Sequence, residues 1–180
     1  MKNNDDFSGP PIGSQLSAII PTLNEAENLG SCLRVIAGTV GELIVVDGGS
    51  SDNTASVASR YNARWLTAKR GRGSQLAAGG AAATGEWLLF IHADTVLQSS
   101  WELSVHEFIN EVRENNVAGV FRYRNDLHGL AGRVLERYVA WRTSLGLPYG
   151  DQCLLISRSH YHRLGGFSDF PIMEDIEFAR

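Results

Sequence analysis

Three groups of polar residues stand where apolar runs end. They are Pro21-Thr22-Leu23-Asn24-Glu25, Asp47-Gly48-Gly49-Ser50-Ser51-Asp52 and His92-Ala93-Asp94. Carboxylates brought to one edge of a fold can recruit a divalent cation, and the cation can in turn hold a diphosphate. Asp94 is the better ligand candidate. His92 is two residues away, and in an extended segment both side chains point the same way. An imidazole with a carboxylate suits Mn²⁺ better than Mg²⁺. A strand-end histidine that only hydrogen-bonds is the plainer reading of His92, and the residue type alone favours it slightly. Asn24 and Asp52 taken singly are as well explained as helix caps, and Asp47 as a strand end. Together the three groups read as one polar, acidic crevice.

Two further stretches carry chemistry. Arg70-Gly71-Arg72-Gly73 precedes a helix rich in Ala and Gly, where backbone amides and arginines can hold phosphate or a base. The stretch is neither a three-glycine dinucleotide fingerprint nor a P-loop, and a solvated basic turn is its alternative. Near the end, Gly150-Asp151-Gln152 leads into a strand and Met173-Glu174-Asp175 opens a helix. Transfer to a hydroxyl needs a carboxylate that accepts its proton, and Glu174 and Asp175 are candidates. Acids also favour a first helical turn for the helix dipole alone.

The elements that must position these residues alternate. Apolar strands are expected at 16–20 (closed by Pro21), 43–47, 63–67, 87–91, 117–123 and 153–157. Helical patterns separate them, so the fold class is α/β, a mainly parallel sheet with helices on its faces. Asn24 with Glu27, and Ser99 with Glu102, have capping-box spacing for helices. The first helix should turn Ala26, Leu29, Leu33 and Ile36 to the sheet. Helices are further expected at 52–61 and 73–84, and one after Ser99 with Trp101, Val105, Phe108 and Val112 on one face. Another at 129–145 would carry Leu130, Val134, Tyr138, Trp141 and Leu145 along its apolar side. In such sheets ligands collect at the carboxyl ends of the strands, where the three polar groups lie.

Bulk properties narrow the classes. A chain of 180 residues, 43% hydrophobic and 20% charged, is ordinary for one soluble domain, and residues 16–180 read as one. A net charge of −4 gives no global field for nucleic acid. Cys32 and Cys153 lack metal-type spacing and read as buried reduced thiols of a cytoplasmic protein. Residues 1–15 are polar and turn-rich and are expected to be a disordered leader. The sequence stops inside what reads as the opening of a helix, so truncation at the C-terminus is expected.

The stretches IIPTLNEAENL (19–29), LIVVDGGSSDNT (43–54), RGRGSQLAAGGAAATGEWLLFIHADT (70–95), GDQCLLI and MEDIEF resemble the family 2 glycosyltransferases of the GT-A fold, in the family's order, over about residues 16–180. GLPYGDQ, LGGF and MEDIE look closest to a bacterial subgroup associated with radical-SAM and selenium-domain proteins. The resemblance implies an inverting transfer of a sugar from a UDP- or GDP-linked donor to an acceptor hydroxyl. It implies a nucleotide pocket of Pro21, Thr22, Asn24, Glu25, Asp47, Gly48, Arg72, Gln75, His92 and Ala93. It places the metal, Mn²⁺ or Mg²⁺, on Asp94 with His92, the base on Asp175 beside Glu174, and Asp151 and Gln152 on the acceptor side. Two positions depart from the family: Gly48 stands where a second acid is usual, and His92 stands for the first acid of Asp-X-Asp.

Two rival functions remain. A nucleotidyltransferase would carry a Gly-rich, Lys-containing segment after the first strand, where this chain has PTLNE. A donor-binding protein that has lost its chemistry is favoured by Gly48 and His92 and opposed by Asp94 and Asp175. Arg133, Arg137 and Arg142 flank the stripe of the 129–145 helix, which would suit a lipid-linked acceptor and a peripheral place at the inner membrane face. Packing of that helix on its own sheet is preferred. A homodimer is admitted, and no residue specifies one.

Overall fold

The computed structural model describes residues 12–112, 117–121, 134, 137, 139 and 153–167. Its strands are β1 (Leu16–Thr22), β2 (Glu42–Asp47), β3 (Arg64–Thr67), β4 (Trp87–Phe90), β5 (Ala118–Val120) and β6 (Leu154–Ser157). Between them lie α1 (Leu29–Ile36), α2 (Thr54–Arg60), α3 (Arg72–Ala82) and α4 (Trp101–Glu111), with α5 (Arg158–Arg163) after β6. The strands form one sheet in the order β3-β2-β1-β4-β6-β5. β1 pairs in parallel with β2 and β4, and β2 with β3, whereas β6 runs antiparallel to both β4 and β5. The chain winds outward from β1 to β3 and then returns to β4. The strand order therefore reverses between β1 and β4, and a crevice opens there at the carboxyl ends.

Alternation along the strands divides the core into two layers. Leu16, Ala18 and Ile20 of β1 and Leu43 and Val45 of β2 pack with Leu29, Leu33 and Ile36 of α1, Val57 of α2 and Trp101 and Val105 of α4. Ile19, Ile44, Val46, Leu88 and Phe90 face the other way, onto Leu76 of α3 and Tyr161 of α5. Helix α3 lies close on the sheet because it is made of small residues: a Cβ on Gly79 would overlap Ile19 Cγ2 and sit 3.0 Å from Val46 Cγ2. That closeness carries the N-terminal turn of α3 to the crevice.

Several expectations are corrected. Pro21 does not close β1, which continues to Thr22 with Pro21 in register with Val46. Asn24 is not a helix cap and makes no capping box with Glu27. It takes a left-handed φ of 57°, the Glu25 carbonyl accepts from Asn28 and Leu29 in a turn, and α1 begins only at Leu29. Ser99 and Glu102 make no capping box either. A turn from Gln98 to Trp101 leads into α4, whose cap position is Ser100 with no side-chain cap bond. Within the expected 129–145 helix, residues 134, 137 and 139 are helical, but Val134 is 59% exposed and Val139 is buried, so Val134 does not lie on a buried face as its spacing implies. Leu130, Tyr138, Trp141 and Leu145 lie outside the described residues, as do Arg133, Arg142 and residues 122–123 of the expected fifth strand. Ile12–Gln15, the end of the expected leader, form a 3₁₀ turn. No helix among the described residues is long and apolar enough to cross a membrane.

At the end of the sheet away from the crevice, Glu42 ties three strands. It accepts from Ser17 Oγ at 2.7 Å, Arg64 Nη1 at 2.9 Å and the Thr84 N–H at 2.8 Å, and Ser17 Oγ accepts in turn from the Gly85 N–H. Burial pushes the Glu42 carboxyl up, but the bonds from Ser17, Thr84 and Arg64 outweigh it and hold the group below its ordinary value of 4.5. A lowered folded-state value contributes stability above the unfolded value and loses it as pH falls through the folded one. Glu42→Ala should therefore cost about 2 kcal/mol at pH 7, read from urea unfolding. Its gap to the parent protein should shrink as the pH falls below the usual carboxylate range.

Candidate functional site

Residues at the carboxyl ends of β1 and β2 build one continuous network. The register sets Thr22 opposite Asp47. Asp47 is 4% exposed, and its carboxylate organises the turn that follows it. Oδ2 accepts the N–H groups of Gly49 at 2.8 Å and Ser50 at 2.9 Å, and Oδ1 accepts the Ser50 hydroxyl. The Thr22 hydroxyl adds a long contact to Oδ1 at 3.5 Å. Asp47 thus reaches a ligand only at the expense of bonds it already makes.

The turn after β1 is stitched to the turn after β2. The Asn24 N–H donates to Ser50 Oγ at 2.8 Å, and Asn24 Oδ1 accepts the Ser51 N–H at 2.8 Å. The Glu25 N–H donates to Thr54 Oγ1 at 2.9 Å and the Ala26 N–H to Asp52 Oδ2 at 3.0 Å. Asp52 also accepts from the Thr54 hydroxyl and N–H. The Thr54 hydroxyl, with the Ala26 and Thr54 N–H groups, holds the Asp52 carboxyl below its usual range. The side chain of Asn24 is exposed and that of Glu25 half-buried, with Glu25 Oε2 accepting from Asn28 Nδ2 at 3.0 Å.

Gln75 enters from the other face of the sheet. It is 4% exposed, and its Nε2 donates to the carbonyls of Thr22 at 2.7 Å and Val46 at 2.8 Å, one on each strand. A Cβ on Gly48 would sit 3.1 Å from Gln75 Oε1, so the glycine there has a steric reason: the Gln75 amide fills the space beside it. Arg72, the first residue of α3, is half-buried behind Gly71, whose φ is 139°. Ala68 donates its N–H to the Asp47 carbonyl, which brings residues 69–72 to the same end of the sheet.

His92-Ala93-Asp94 follows β4, and here the extended geometry fails. The Thr95 N–H bonds to the His92 carbonyl at 3.1 Å, making a turn that buries Ala93, half-buries His92 and leaves Asp94 exposed. The same-side rule for residues two apart does not apply in a turn. The two cysteines support this turn from beneath. Cys32 Sγ donates to the His92 carbonyl at 3.6 Å, and Cys153 is buried close to His92, Thr95 and Asp94. Burial pushes both thiols up to about 12, with the nearby Asp94 charge acting in the same direction. Without a metal they are protonated at neutral pH, which leaves them weak nucleophiles there. Among the described residues no group of three or more His, Cys, Asp and Glu is placed to hold a metal. Asp151, Gln152, Glu174 and Asp175 lie outside the described residues.

The crevice thus gathers Pro21, Thr22, Asn24, Glu25, Asp47 and Gly48 with Arg72 and Gln75, while His92, Ala93 and Asp94 stand across the strand-order reversal. Ser50, Ser51, Asp52 and Thr54 carry the stitching, a role the sequence reading did not give them, and Thr54 was not in its polar groups; the run of short hydroxyl and Asx side chains in GGSSDNT is their signal.

The chain matches glycosyl transferase family 2 over residues 17–170. It belongs to that family. A glucosyl-3-phosphoglycerate synthase from Mycolicibacterium smegmatis is 35% identical over 104 residues, covering 51% of this chain and 34% of the relative. The crystal structure of the glucosyl-3-phosphoglycerate synthase from Mycobacterium tuberculosis in complex with Mg²⁺ and UDP superposes with a TM-score of 0.58 at 26% identity, over 81% of this chain and 57% of that one. A mannosyltransferase from Pyrobaculum calidifontis, solved in complex with GDP-Man and Mn²⁺, gives a TM-score of 0.67 at 20% identity over 92% of this chain and 50% of that one, a likeness of fold. The chain spans about a third of the length of the curated relative. The family and the superposed structures bear out the expected GT-A architecture.

With both thiols buried and protonated, a thiol reagent at pH 8 should label neither Cys32 nor Cys153 in the folded protein and both in denaturant. Rapid labelling of the native protein, read by mass spectrometry, would contradict the buried support beneath the His92 turn.

Proposed function

We propose that the protein transfers a sugar from a nucleoside-diphosphate donor to an acceptor hydroxyl, with inversion at the anomeric carbon. The observation that carries this is that the loops after β1, β2 and β4 and the first turn of α3 all stand at the carboxyl end of one sheet, in a chain of glycosyl transferase family 2. The relatives crystallised with UDP or GDP-Man support a nucleotide-sugar donor.

The stitched turns after β1 and β2 are preorganised, which favours binding because little ordering remains to be done. Thr22, Asn24 and Glu25 would line the nucleoside side together with Asp47 and Gly48. Arg72 would place its guanidinium near the diphosphate, countering the charge that grows on the leaving group. Asp94 is an exposed carboxylate and His92 a half-buried imidazole on one turn, and by the resemblance Asp94 would offer oxygen, and His92 nitrogen, as a partial donor set. That set fits a divalent cation whose other ligands come from the diphosphate and water, Mn²⁺ before Mg²⁺. Such a cation, when bound, would neutralise phosphate charge as the nucleoside diphosphate departs. By the resemblance, Asp175 accepts the proton of the attacking hydroxyl, with Glu174 beside it and Asp151 and Gln152 toward the acceptor. The subgroup associated with radical-SAM and selenium-domain proteins remains our assignment on GLPYGDQ, LGGF and MEDIE.

Isothermal titration against UDP and GDP, each with Mn²⁺, Mg²⁺ or EDTA, tests this. Binding should depend on metal and weaken at least about tenfold in Asp94→Ala, which corresponds to about 1.4 kcal/mol. Folded protein that binds neither nucleotide would overturn the proposal. Metal-independent binding unaffected by Asp94→Ala would remove the cation from it.

A further inference from the structure

The amide of Gln75 has a fixed direction. Its nitrogen lies 2.7 and 2.8 Å from two carbonyl oxygens, on Thr22 and Val46. Turning the amide over would set oxygen against oxygen at those distances, so the bonding network decides which atom is which. Both amide protons are spent on the strands. Oε1 is left as an acceptor, and it makes no hydrogen bond among the described residues. It is also not sealed: among the described residues, His160 Nδ1 is the polar side-chain atom that is cut off from solvent without a partner. Gln75 is otherwise 4% exposed. A nearly buried side chain thus carries one unengaged acceptor, beside Gly48 at the carboxyl ends of β1 and β2. The absence of a Cβ at position 48 keeps that oxygen uncovered, since a methyl group there would lie 3.1 Å from it. The neighbouring carboxylate of Asp47 is engaged by Gly49 and Ser50.

We propose that Gln75 Oε1 reads the nucleobase of the donor by accepting its ring N–H, the N3–H of uracil or the N1–H of guanine. The inference rests on the crevice being a nucleotide-sugar site and adds the group that selects the base. Cytosine and adenine present an unprotonated ring nitrogen at the corresponding edge. Two acceptors would then face each other in a dry place, where an unmade hydrogen bond costs more than a made one gains. Gln75 is suited to this task because its two strand bonds hold the oxygen still, so little side-chain freedom is lost on binding.

The test is isothermal titration of the full chain, with Mn²⁺, against UDP, CDP and N3-methyl-UDP, in which the ring N–H is replaced by a methyl group. UDP should bind roughly tenfold or more tightly than either analogue, and in Gln75→Met the three should approach parity. Equal affinity of the parent protein for UDP and N3-methyl-UDP would overturn the inference alone. Full discrimination retained by folded Gln75→Met would also overturn it, by assigning the N–H to another acceptor. Because Gln75 also joins β1 to β2, circular dichroism must show that the variant is folded. If it is not, Gly48→Ala, which covers Oε1 without removing either strand bond, takes its place with the same expected loss. Failure of folded parent protein to bind UDP or GDP at all is a different result. It would overturn the nucleotide-sugar reading, and this inference with it.

Discussion

The register of β1 against β2 is the constraint on which the rest of the site depends. It places Thr22 beside Asp47, and it sets the carbonyls of Thr22 and Val46 where one amide can bridge them. Slipping the pairing by one residue would turn every side chain of the shorter strand to the opposite face. Both faces are apolar, so it is the close packing of particular side chains that resists the slip, Leu43 and Val45 in one core layer and Ile44 and Val46 in the other. Hydrophobic burial far from the crevice thereby fixes polar geometry within it.

The bridging amide depends on a second closeness, that of α3 to the sheet. Gly79 lets the helix approach Ile19 and Val46, and Gln75, one turn earlier on the same face, then meets the strand ends. Small residues in this helix lower its intrinsic propensity, and tertiary contact compensates. On the opposite face, the turns after β1 and β2 hold each other through Asn24, Ser50, Asp52 and Thr54. Across the strand-order reversal, the turn from His92 to Thr95 is bonded to the buried Cys32 thiol and lies close to the buried Cys153. Each wall is thus held by side chains bonded to backbone or to neighbouring turns, which is how a site is held to useful precision on loops.

Glu42 illustrates the same economy at the far end of the sheet. One carboxylate joins Ser17, Arg64 and Thr84, and so ties β1, β2 and β3 to the segment entering β4. The two ends of the sheet divide the labour: charge and hydroxyls at the amino ends hold strands together, and those at the carboxyl ends shape the candidate site.

The sequence by itself determined the alternation of strands and helices, the mainly parallel sheet and the ends at which polar residues would collect. These follow from local periodicity and from the run of apolar residues in LIVVD and WLLFI, which short windows report faithfully. The family motifs were equally legible because they are contiguous. Tertiary structure alone decided what the individual polar side chains do. Asn24 reads as a cap in one dimension and is a strut between two turns in three, since its partner Ser51 is 27 residues away. Gly48 reads as a missing acid, yet its reason is Gln75, which no local pattern couples to it. Cys32 and Cys153 read as inert thiols and are so, but their place beneath His92 required the fold to bring α1 and the start of β6 together. A hydrogen bond between residues distant in sequence leaves no periodic trace. It exists only once hydrophobic packing has fixed the strands that carry its two ends.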